Sequence, residues 1–351
     1  MKKSLLILLF TCWALFFAAF RPVMPFAAET AAFPDGTPVT GGRILMGTIG
    51  EPSNLIPYMA SDSASGEITG LLYVAPLKYD KDLNVVPWAA ASYEVLEGGR
   101  LLRFVLRDDI RWEDGVPLTA DDVEFTYKLM IDPKTPTAYS GDFLAIESFK
   151  KTGRLSFEVR YAKPFARSLM TWMGAILPKH VLEGQDIMTT PVARKPIGAG
   201  PYRLAKWDAG SMLTLTASDT YFEGRPNLDE VVYRIIPDPS TMFLELKAGK
   251  LDMMSLSPQQ YLRQTQGPQW ERDWRKYRYL SFSYTFLGFN LEHPFFKDVR
   301  VRRAISMAID RQSLIDGVLL GQGVPTVGPY KPGTWAYNDK LTPVRQDVDE
   351  A

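Results

Sequence analysis

The chain has 351 residues, of which 46% are hydrophobic and 23% are charged, the composition of an ordinary soluble globular protein. Lys and Arg together number 40, as do Asp and Glu, so no overall charge favours nucleic acid or an anionic membrane surface. Cys12 is the only cysteine, which excludes a disulfide within the chain and a thiolate zinc site. The two histidines, His180 and His293, lie in no recognisable catalytic motif.

The N-terminus has the pattern of a secretory signal. Lys2 and Lys3 precede an apolar run over residues 5–20, and small residues follow up to Ala28. The alternative, a membrane-spanning anchor, requires about 20 apolar residues, which is more than this run supplies. We therefore predict a signal peptide over residues 1–28 and an exported protein, periplasmic or extracytoplasmic in location.

Strand and turn patterns follow the predicted signal. Residues 42–48 are typical of a strand, and the prolines of 51–57 then turn the chain. The small polar stretch 61–65 suits a loop whose backbone approaches a ligand closely. Residues 101–107 alternate between an apolar and a more polar face and predict a half-buried strand, and residues 155–161 predict another.

A helix start is marked between these last two strands. Asp114 and Gly115 are typical of a turn, and Thr119 has the side chain of an N-cap. Asp121 and Asp122 lie in the predicted first turn, where the helix dipole favours acidic side chains. These paired acids are therefore interpreted as structural rather than catalytic.

The next part of the chain predicts a group of strands and a helix. A Gly-Pro break at residues 198–202 precedes them. The predicted strands, which share an apolar alternation, are 202–207, 213–217 and 231–236. Ser240 is expected to cap a helix that reaches Ala248 and ends at Gly249, after which residues 251–254 return to the sheet.

The last part of the chain is aromatic and then helical. Residues 282–290 read as an aromatic strand. Asp298 is predicted to cap one helix, and Asp310 a second helix that Gly321 closes. Because strands and helices follow one another irregularly rather than in strict βαβ alternation, the predicted fold class is α/β of the mixed α+β kind.

Motifs for catalysis and for cofactors are absent from the sequence. It contains no dinucleotide-binding glycine loop, no GxxxxGK[ST], no HExxH, no GxSxG and no EF-hand loop. We therefore predict no catalytic residue, no metal site and no cofactor, and a protein that is not an enzyme.

Four blocks carry a family resemblance. They are, in chain order, 42–57 with EPSNLIP, 87–123 with RFVLRDDIRWEDG and LTADDV, 198–252 with GAGPY and LKAGKLD, and 288–311 with FFKDVRVRRA and AIDR. Over nearly all of residues 42–338 the chain resembles the bacterial extracellular solute-binding proteins of family 5. These are the peptide/nickel-binding proteins of ABC importers, of the oligopeptide/dipeptide-binding type.

The resemblance implies a two-lobed periplasmic binding protein fold of the large, peptide-binding type. Its implied domains are a signal peptide over 1–28, a leader over 29–41, the core of lobe I from 42–79 and 196–279, an inserted subdomain of lobe I over 80–195, and the start of lobe II over 280–351. Closure of the two lobes would bury the ligand and signal its presence to the permease.

The function implied by the resemblance is that of the extracytoplasmic substrate-binding component of an ABC importer. Such a protein binds short peptides in the interlobe cleft and delivers them to the membrane subunits of the permease; it is implied to be a monomer without a nucleic-acid partner. Peptide recognition of this kind is similar to strand addition. By motif position, the residues implied to line the ligand site are Ser61, Asp62, Ser63, Ala64, Tyr139, Ser255, Ser257, Tyr284 and Phe286.

Other ligands and classes stay open at this point. The family also includes binders of oligosaccharides, nickel chelates and haem; 8 Trp and 16 Tyr suit an oligosaccharide, whereas only two histidines disfavour direct nickel ligation. Family members continue past the equivalent of residue 351, so an incomplete second lobe and a non-functional truncated fragment are further expectations. The acidic residue that holds a peptide's amino terminus in several relatives would lie in that later part. A secreted hydrolase is the alternative from another class.

Overall fold

A computed structural model describes residues 38–334 and 336–351 of the chain. The predicted signal peptide, residues 1–28, and positions 29–37 of the predicted leader lie outside these described residues. Within the described residues, no helix is long and apolar enough to cross a membrane.

The chain divides into two units. The described part of the smaller unit is residues 266–277, which contain a short helix, Pro268–Asp273, with proline in its first turn. The larger unit comprises residues 38–265 and 278–351. It holds all the elements described below.

The larger unit contains ten strands and nine α-helices in its described residues, together with two 3-10 helices and one short π-helix. The strands are β1 Arg43–Thr48, β2 Leu77–Tyr79, β3 Val85–Pro87, β4 Ala90–Leu96, β5 Leu101–Leu106, β6 Ile146–Lys151, β7 Ser156–Tyr161, β8 Tyr202–Asp208, β9 Met212–Ala217 and β10 Glu230–Ile235. The helices are α1 Ser63–Leu72, α2 Ala120–Ile131, α3 Ser140–Leu144, α4 Ser168–Thr171, α5 Lys179–Leu182, α6 Pro239–Lys247, α7 Pro294–Lys297, α8 Val299–Ala308 and α9 Arg311–Gly317.

One four-stranded sheet has the order β1-β10-β9-β8. β10 runs parallel to β1, and the other neighbouring pairs are antiparallel. Leu213 and Leu215 of β9 are fully buried, which confirms the alternation predicted for this strand. The segment after α6 runs beside β1 and makes an isolated bridge between Met46 and Met253, so its predicted return to the sheet is confirmed.

The second four-stranded sheet is antiparallel, in the order β4-β5-β7-β6. On its buried face, the rings of Phe104 and Phe157 stack with centroids 4.8 Å apart. On its exposed face, Arg103 forms ion pairs with Glu94 and Glu158, its register partners on the two flanking strands. The half-buried strands predicted from alternation are therefore confirmed, with apolar packing on one face and cross-strand charges on the other.

Helix α2 begins as the sequence predicts. Thr119 is its N-cap and forms a capping box with Asp122, whose carboxylate accepts a hydrogen bond from the Thr119 amide at 2.8 Å. Asp122 is buried and accepts a second hydrogen bond, 3.0 Å long, from the amide of Lys179 at the start of α5. Burial raises the pKa of Asp122 in spite of these bonds. These contacts support the interpretation of Asp122 as a structural rather than a catalytic residue.

Several predicted boundaries are wrong, each for a local reason. Helix α6 is capped by Asp238 rather than Ser240, because the Asp238 carboxylate accepts from the Thr241 amide at 2.7 Å and proline fills the first helical position. Helix α9 ends at Gly317, before the predicted stop at Gly321. The described residues 282–290 form no strand, since no described segment pairs with them.

The predicted loop over residues 61–65 is wrong in its second half, where α1 begins. Asp62 is the N-cap, and its carboxylate accepts from the Ser65 amide at 2.7 Å. The same carboxylate accepts from the hydroxyls of Ser65 and Ser53, at 2.8 Å and 2.6 Å. The predicted domain boundaries near residues 80, 195 and 280 stay predictions.

The Gly-Pro break is a close backbone contact with the C-terminal end of α1. The Gly200 amide donates to the Leu72 carbonyl oxygen at 2.8 Å. A Cβ atom at Gly198 would lie 2.0 Å from the same oxygen, and one at Gly200 would lie 2.4 Å from the Leu71 carbonyl oxygen. Only glycine fits at these two positions, because the neighbouring atoms belong to the backbone.

Glu113 is hydrogen-bonded to the Gly-Pro break, and its carboxyl group makes the stability of the fold depend on pH. Its amide donates to the Gly198 carbonyl oxygen at 2.8 Å, and burial raises the pKa of its carboxyl to about 7. Because this pKa is above the ordinary value near 4.5, ionisation of Glu113 destabilises the fold increasingly as the pH rises from about 4.5 to 7.

We therefore expect Glu113→Gln to raise the free energy of unfolding at pH 8 by at least about 1 kcal/mol, with the gain vanishing near pH 4.5. Urea unfolding of both proteins across this pH range measures the difference. A gain of the same size at every pH would show that burial of the charge is not its cause.

Candidate functional site

An open cavity of about 310 Å³ lies beside helix α1. Its walls come from five residues between positions 54 and 60, the inner face of α1 with the residues that follow it to position 75, Trp88, Tyr139, and residues 173–175. None of these lining residues, all within the described part of the chain, carries a charged side chain. The volume is at the small end of the range for ligand pockets in proteins.

Helix α1 supplies a wall of small side chains. Gly66, Thr69 and Gly70 line the cavity at helical spacing, and Tyr73 follows one turn later. The Thr69 hydroxyl is turned back to the helix, where it donates to the Ser65 carbonyl oxygen at 2.8 Å. Since Gly66 and Gly70 have no side chains, the helix backbone is accessible from the cavity at these two positions.

Tyr58 forms the opposite wall and has an unusual backbone. Its φ angle is +73°, in the left-handed region that bulky residues rarely adopt. Its hydroxyl donates to the Ala175 carbonyl oxygen at 2.8 Å, and its own carbonyl oxygen accepts from the Thr137 hydroxyl at 2.8 Å. Gly174 makes room for the ring, since a Cβ there would lie 2.2 Å from the Tyr58 hydroxyl oxygen. Strain of this kind persists where surrounding contacts fix it, often at binding sites.

Tyr139 lies at the rim of the cavity. Its ring packs edge-on against Tyr58, with centroids 5.9 Å apart, and about half of the residue is exposed. Its amide donates to the Thr137 hydroxyl at 3.2 Å, which ties it to the segment that also holds Tyr58. A partly exposed aromatic ring on a fixed support suits contact with a ligand.

Two buried tyrosines of the cavity wall, Tyr58 and Tyr73, are neutral. Burial raises the pKa of Tyr58 and of Tyr73 far above the ordinary value, and the charge of Glu113 raises that of Tyr73 further. The Tyr73 hydroxyl is buried and has no hydrogen-bond partner among the described residues. The cavity thus offers aromatic surface, small side chains and backbone, and no fixed charge among its described walls.

The residues implied to bind ligand are spread over the larger unit. Tyr139 lines the cavity, whereas Ser61, Asp62, Ser63 and Ala64 lie in the segment between two of its lining residues, Ala60 and Ser65. The three hydrogen bonds that the Asp62 carboxylate accepts stabilise the start of α1. Ligand contact by these residues stays a prediction.

The other implied ligand residues lie outside the cavity. Ser255 and Ser257 are exposed, and the Ser257 hydroxyl accepts from the Gln260 amide at 3.2 Å. Tyr284 and Phe286 are 46% and 71% exposed, with ring centroids 5.5 Å apart. Both rings lie outside any described strand, and their contact with ligand stays a prediction.

Sequence reasoning missed Tyr58, Trp88 and Gly174. Trp88 belongs to one of the family-like blocks, but nothing in the sequence marks it as a cavity wall.

Among the described residues, no group of three or more His, Cys, Asp or Glu side chains is placed to hold a metal ion.

The mixed α/β unit thus carries an open, uncharged cavity beside α1, and comparison with known proteins identifies the family. The model for bacterial extracellular solute-binding proteins, family 5, matches residues 84–351. The chain therefore belongs to this family of solute-binding proteins, as its four sequence blocks predict.

Relatives of known name support this assignment. The oligopeptide-binding protein AppA of Bacillus subtilis is 32% identical over 308 residues, which cover 86% of this chain and 56% of that protein. Protein XP55 of Streptomyces lividans is 31% identical over 310 residues, covering 86% and 55%. The chain thus spans little more than half the length of these curated relatives.

Solved structures confirm the predicted fold. The structure of AppA from Bacillus subtilis, in complex with a nonapeptide, matches with a TM-score of 0.80 and 30% identity, covering 89% of this chain and 63% of that one. NikZ from Campylobacter jejuni, in complex with Ni(L-His), matches with a TM-score of 0.78 and 26% identity, covering 87% and 60%. The mixed α/β fold is therefore the fold of family 5 periplasmic binding proteins.

Proposed function

We propose that this chain acts as the substrate-binding component of an ABC importer outside the cytoplasm and binds short peptides. The cavity beside α1 carries the proposal, because it combines aromatic walls with an exposed helix backbone at two glycines. Such a surface offers packing to a peptide main chain and to an uncharged side chain. The similarity to AppA, whose structure holds a nonapeptide, supports the same ligand class.

In this proposal the walls formed by α1, Tyr58, Trp88 and Tyr139 are the lobe I side of the binding site. Ligand binding would bring lobe II over the cavity, and the closed form would deliver the peptide to the permease subunits. The absence of charged side chains from the described lining leaves hydrogen bonds and packing as the available contacts.

Native mass spectrometry of the full chain, purified from the cells that export it without an unfolding step, tests the ligand class. We expect a family of masses that fragment into short peptides. A single sugar or a metal chelate in their place would contradict the proposal. A chain free of small molecules that binds no peptide from a defined tri- to nonapeptide mixture would contradict it equally.

A further inference from the structure

Trp88 is a wall of the cavity whose indole is fixed by contacts behind the site. Its Nε1–H donates to the Tyr221 hydroxyl at 2.9 Å. The Tyr221 hydroxyl donates in turn to the Glu223 carboxylate at 2.7 Å. Lys78 completes the group: its Nζ lies 2.7 Å from the Glu223 carboxylate and 5.3 Å from the centroid of the Trp88 ring.

The directions of these hydrogen bonds follow from the chemistry of the groups. An indole nitrogen only donates, so the Tyr221 hydroxyl must accept from Trp88 and direct its single proton to Glu223. An ionised Glu223 suits this arrangement, because a carboxylate accepts hydrogen bonds from both Tyr221 and Lys78. Partial burial acts to raise the pKa of Glu223, but the hydrogen bonds from Lys78 and Tyr221 outweigh it and hold the pKa below the ordinary value.

The four residues come from separate parts of the chain. Lys78 is in β2, Trp88 follows β3, and Tyr221 and Glu223 lie in the connection between β9 and β10. The hydrogen bonds therefore link the β2–β3 hairpin to the first four-stranded sheet. Because the Trp88 amide also donates to the Pro76 carbonyl oxygen at 2.9 Å, both the backbone and the ring of Trp88 are fixed.

A fixed aromatic wall in an uncharged cavity has consequences for the ligand. A charged ligand group that entered this cavity would lose water and find no opposite charge among the described lining residues, which is costly. An uncharged aromatic or large aliphatic group would instead pack against Trp88, Tyr58 and Tyr139. The cation of Lys78 stays behind the wall, paired with Glu223.

We propose that Lys78, Tyr221 and Glu223 are positioning residues that lock Trp88 in place, and that the resulting cavity selects an uncharged aromatic or large aliphatic ligand side chain. The inference rests on the proposed function in taking that side chain to belong to a peptide. Lys78, Tyr221 and Glu223 act through Trp88, since none of the three lines the cavity.

The test compares Tyr221→Phe with a matched control, Tyr202→Phe. Tyr202 also donates a hydroxyl hydrogen bond, 3.3 Å long, to the Leu228 carbonyl oxygen, but it does not line the cavity or contact Trp88. The probes are N-acetyl-phenylalanine amide and N-acetyl-lysine amide. The readouts are probe affinity and the NMR signal of the Trp88 indole N–H, assigned with Trp88→Phe.

We expect the phenylalanine probe to bind and to shift the Trp88 signal, and the lysine probe to bind at least about tenfold more weakly. Tyr221→Phe should move the Trp88 signal in the free protein and weaken the phenylalanine probe about fivefold. Tyr202→Phe should do neither. Glu223→Gln keeps an acceptor for the Tyr221 proton. Its affinity for the phenylalanine probe and its Trp88 signal should therefore lie between those of Tyr221→Phe and the wild type.

Equal binding of the two probes would overturn the selectivity. An unmoved Trp88 signal in Tyr221→Phe, or the same loss of affinity in Tyr202→Phe, would overturn the positioning role. Failure of the proposed function can be told apart from failure of this inference, because the probe experiments need no co-purified peptide. A chain that carries a sugar but whose cavity is selective and depends on Tyr221 would contradict only the peptide ligand.

Discussion

Replacing Gly198 by alanine is expected to prevent the larger unit from folding stably. The new Cβ would lie 2.0 Å from the Leu72 carbonyl oxygen and 2.9 Å from the Leu72 carbonyl carbon. Both atoms belong to the last residue of α1, whose backbone is also held by the Gly200 amide. Neither side can yield without breaking that contact, so we expect a loss of more than about 3 kcal/mol in the free energy of unfolding.

Urea unfolding, with soluble yield as a second measure, checks this expectation. The matched control is Gly66→Ala, a change within helix α1 itself, where nothing lies within 4 Å of the added methyl group. Because alanine favours the helix more than glycine does, the control should gain about 0.5–1 kcal/mol. A Gly198→Ala protein as stable as the wild type would show that the turn and the helix end can separate without cost.

A substitution at Gly198 would also change the cavity, because it would displace helix α1. Helix α1 presents Gly66 and Gly70 to the cavity, and its C-terminal end is fixed by the Gly-Pro break. This break is one of the blocks that mark the family in the sequence. Its physical role is thus to hold the helix that forms one wall of the site.

The parts of the fold that could be predicted depend on neighbouring residues. The N-cap at Thr119 and the alternation along β5 are visible within a few positions, and both are confirmed. Helix α1 was missed because serine and glycine at four of its ten positions lower its helix propensity. It forms because Ile68 and Leu72 are buried against the rest of the unit, which a local reading cannot show.

The cavity could not be predicted because its walls are distant in sequence. Tyr58, Trp88, Tyr139 and Gly174 meet only when the larger unit is folded. The resemblance to family 5 did point to Tyr139, which is at the cavity rim. The aromatic residues 282–290 were predicted to form a strand from composition alone, but a strand requires a partner, and none of the described segments supplies one.

Gly174→Ala is expected to weaken ligand binding at least about tenfold while leaving the protein folded. A Cβ at this position would lie 2.2 Å from the Tyr58 hydroxyl oxygen and about 3 Å from two atoms of its ring. Tyr58 has little room to retreat, because its ring packs against Tyr139 and Phe143 and its carbonyl oxygen is held by Thr137. The ring must therefore shift and change the cavity wall, at a cost of about 1–3 kcal/mol in stability.

A double-mutant cycle with Tyr58→Phe tests whether this displacement is the cause. Alone, Tyr58→Phe removes the hydrogen bond to the Ala175 carbonyl oxygen and should cost about 1 kcal/mol in stability. It also removes the atom closest to the new methyl group, so Gly174→Ala should be less damaging in the Tyr58→Phe protein, with a coupling of about 0.5–3 kcal/mol. Relief should be partial, since the Tyr58 Cζ and Cε1 atoms would remain at 3.0 Å and 3.1 Å.

Affinity for N-acetyl-phenylalanine amide and urea unfolding are measured for all four proteins of the cycle. Additive effects would mean that Gly174 acts on the cavity by some route other than Tyr58. Coupled effects on affinity and on stability would show that the contact between the added methyl group and the Tyr58 ring is what changes the cavity. Gly174 would then act through its lack of a side chain, which leaves the space in which the Tyr58 ring forms the wall.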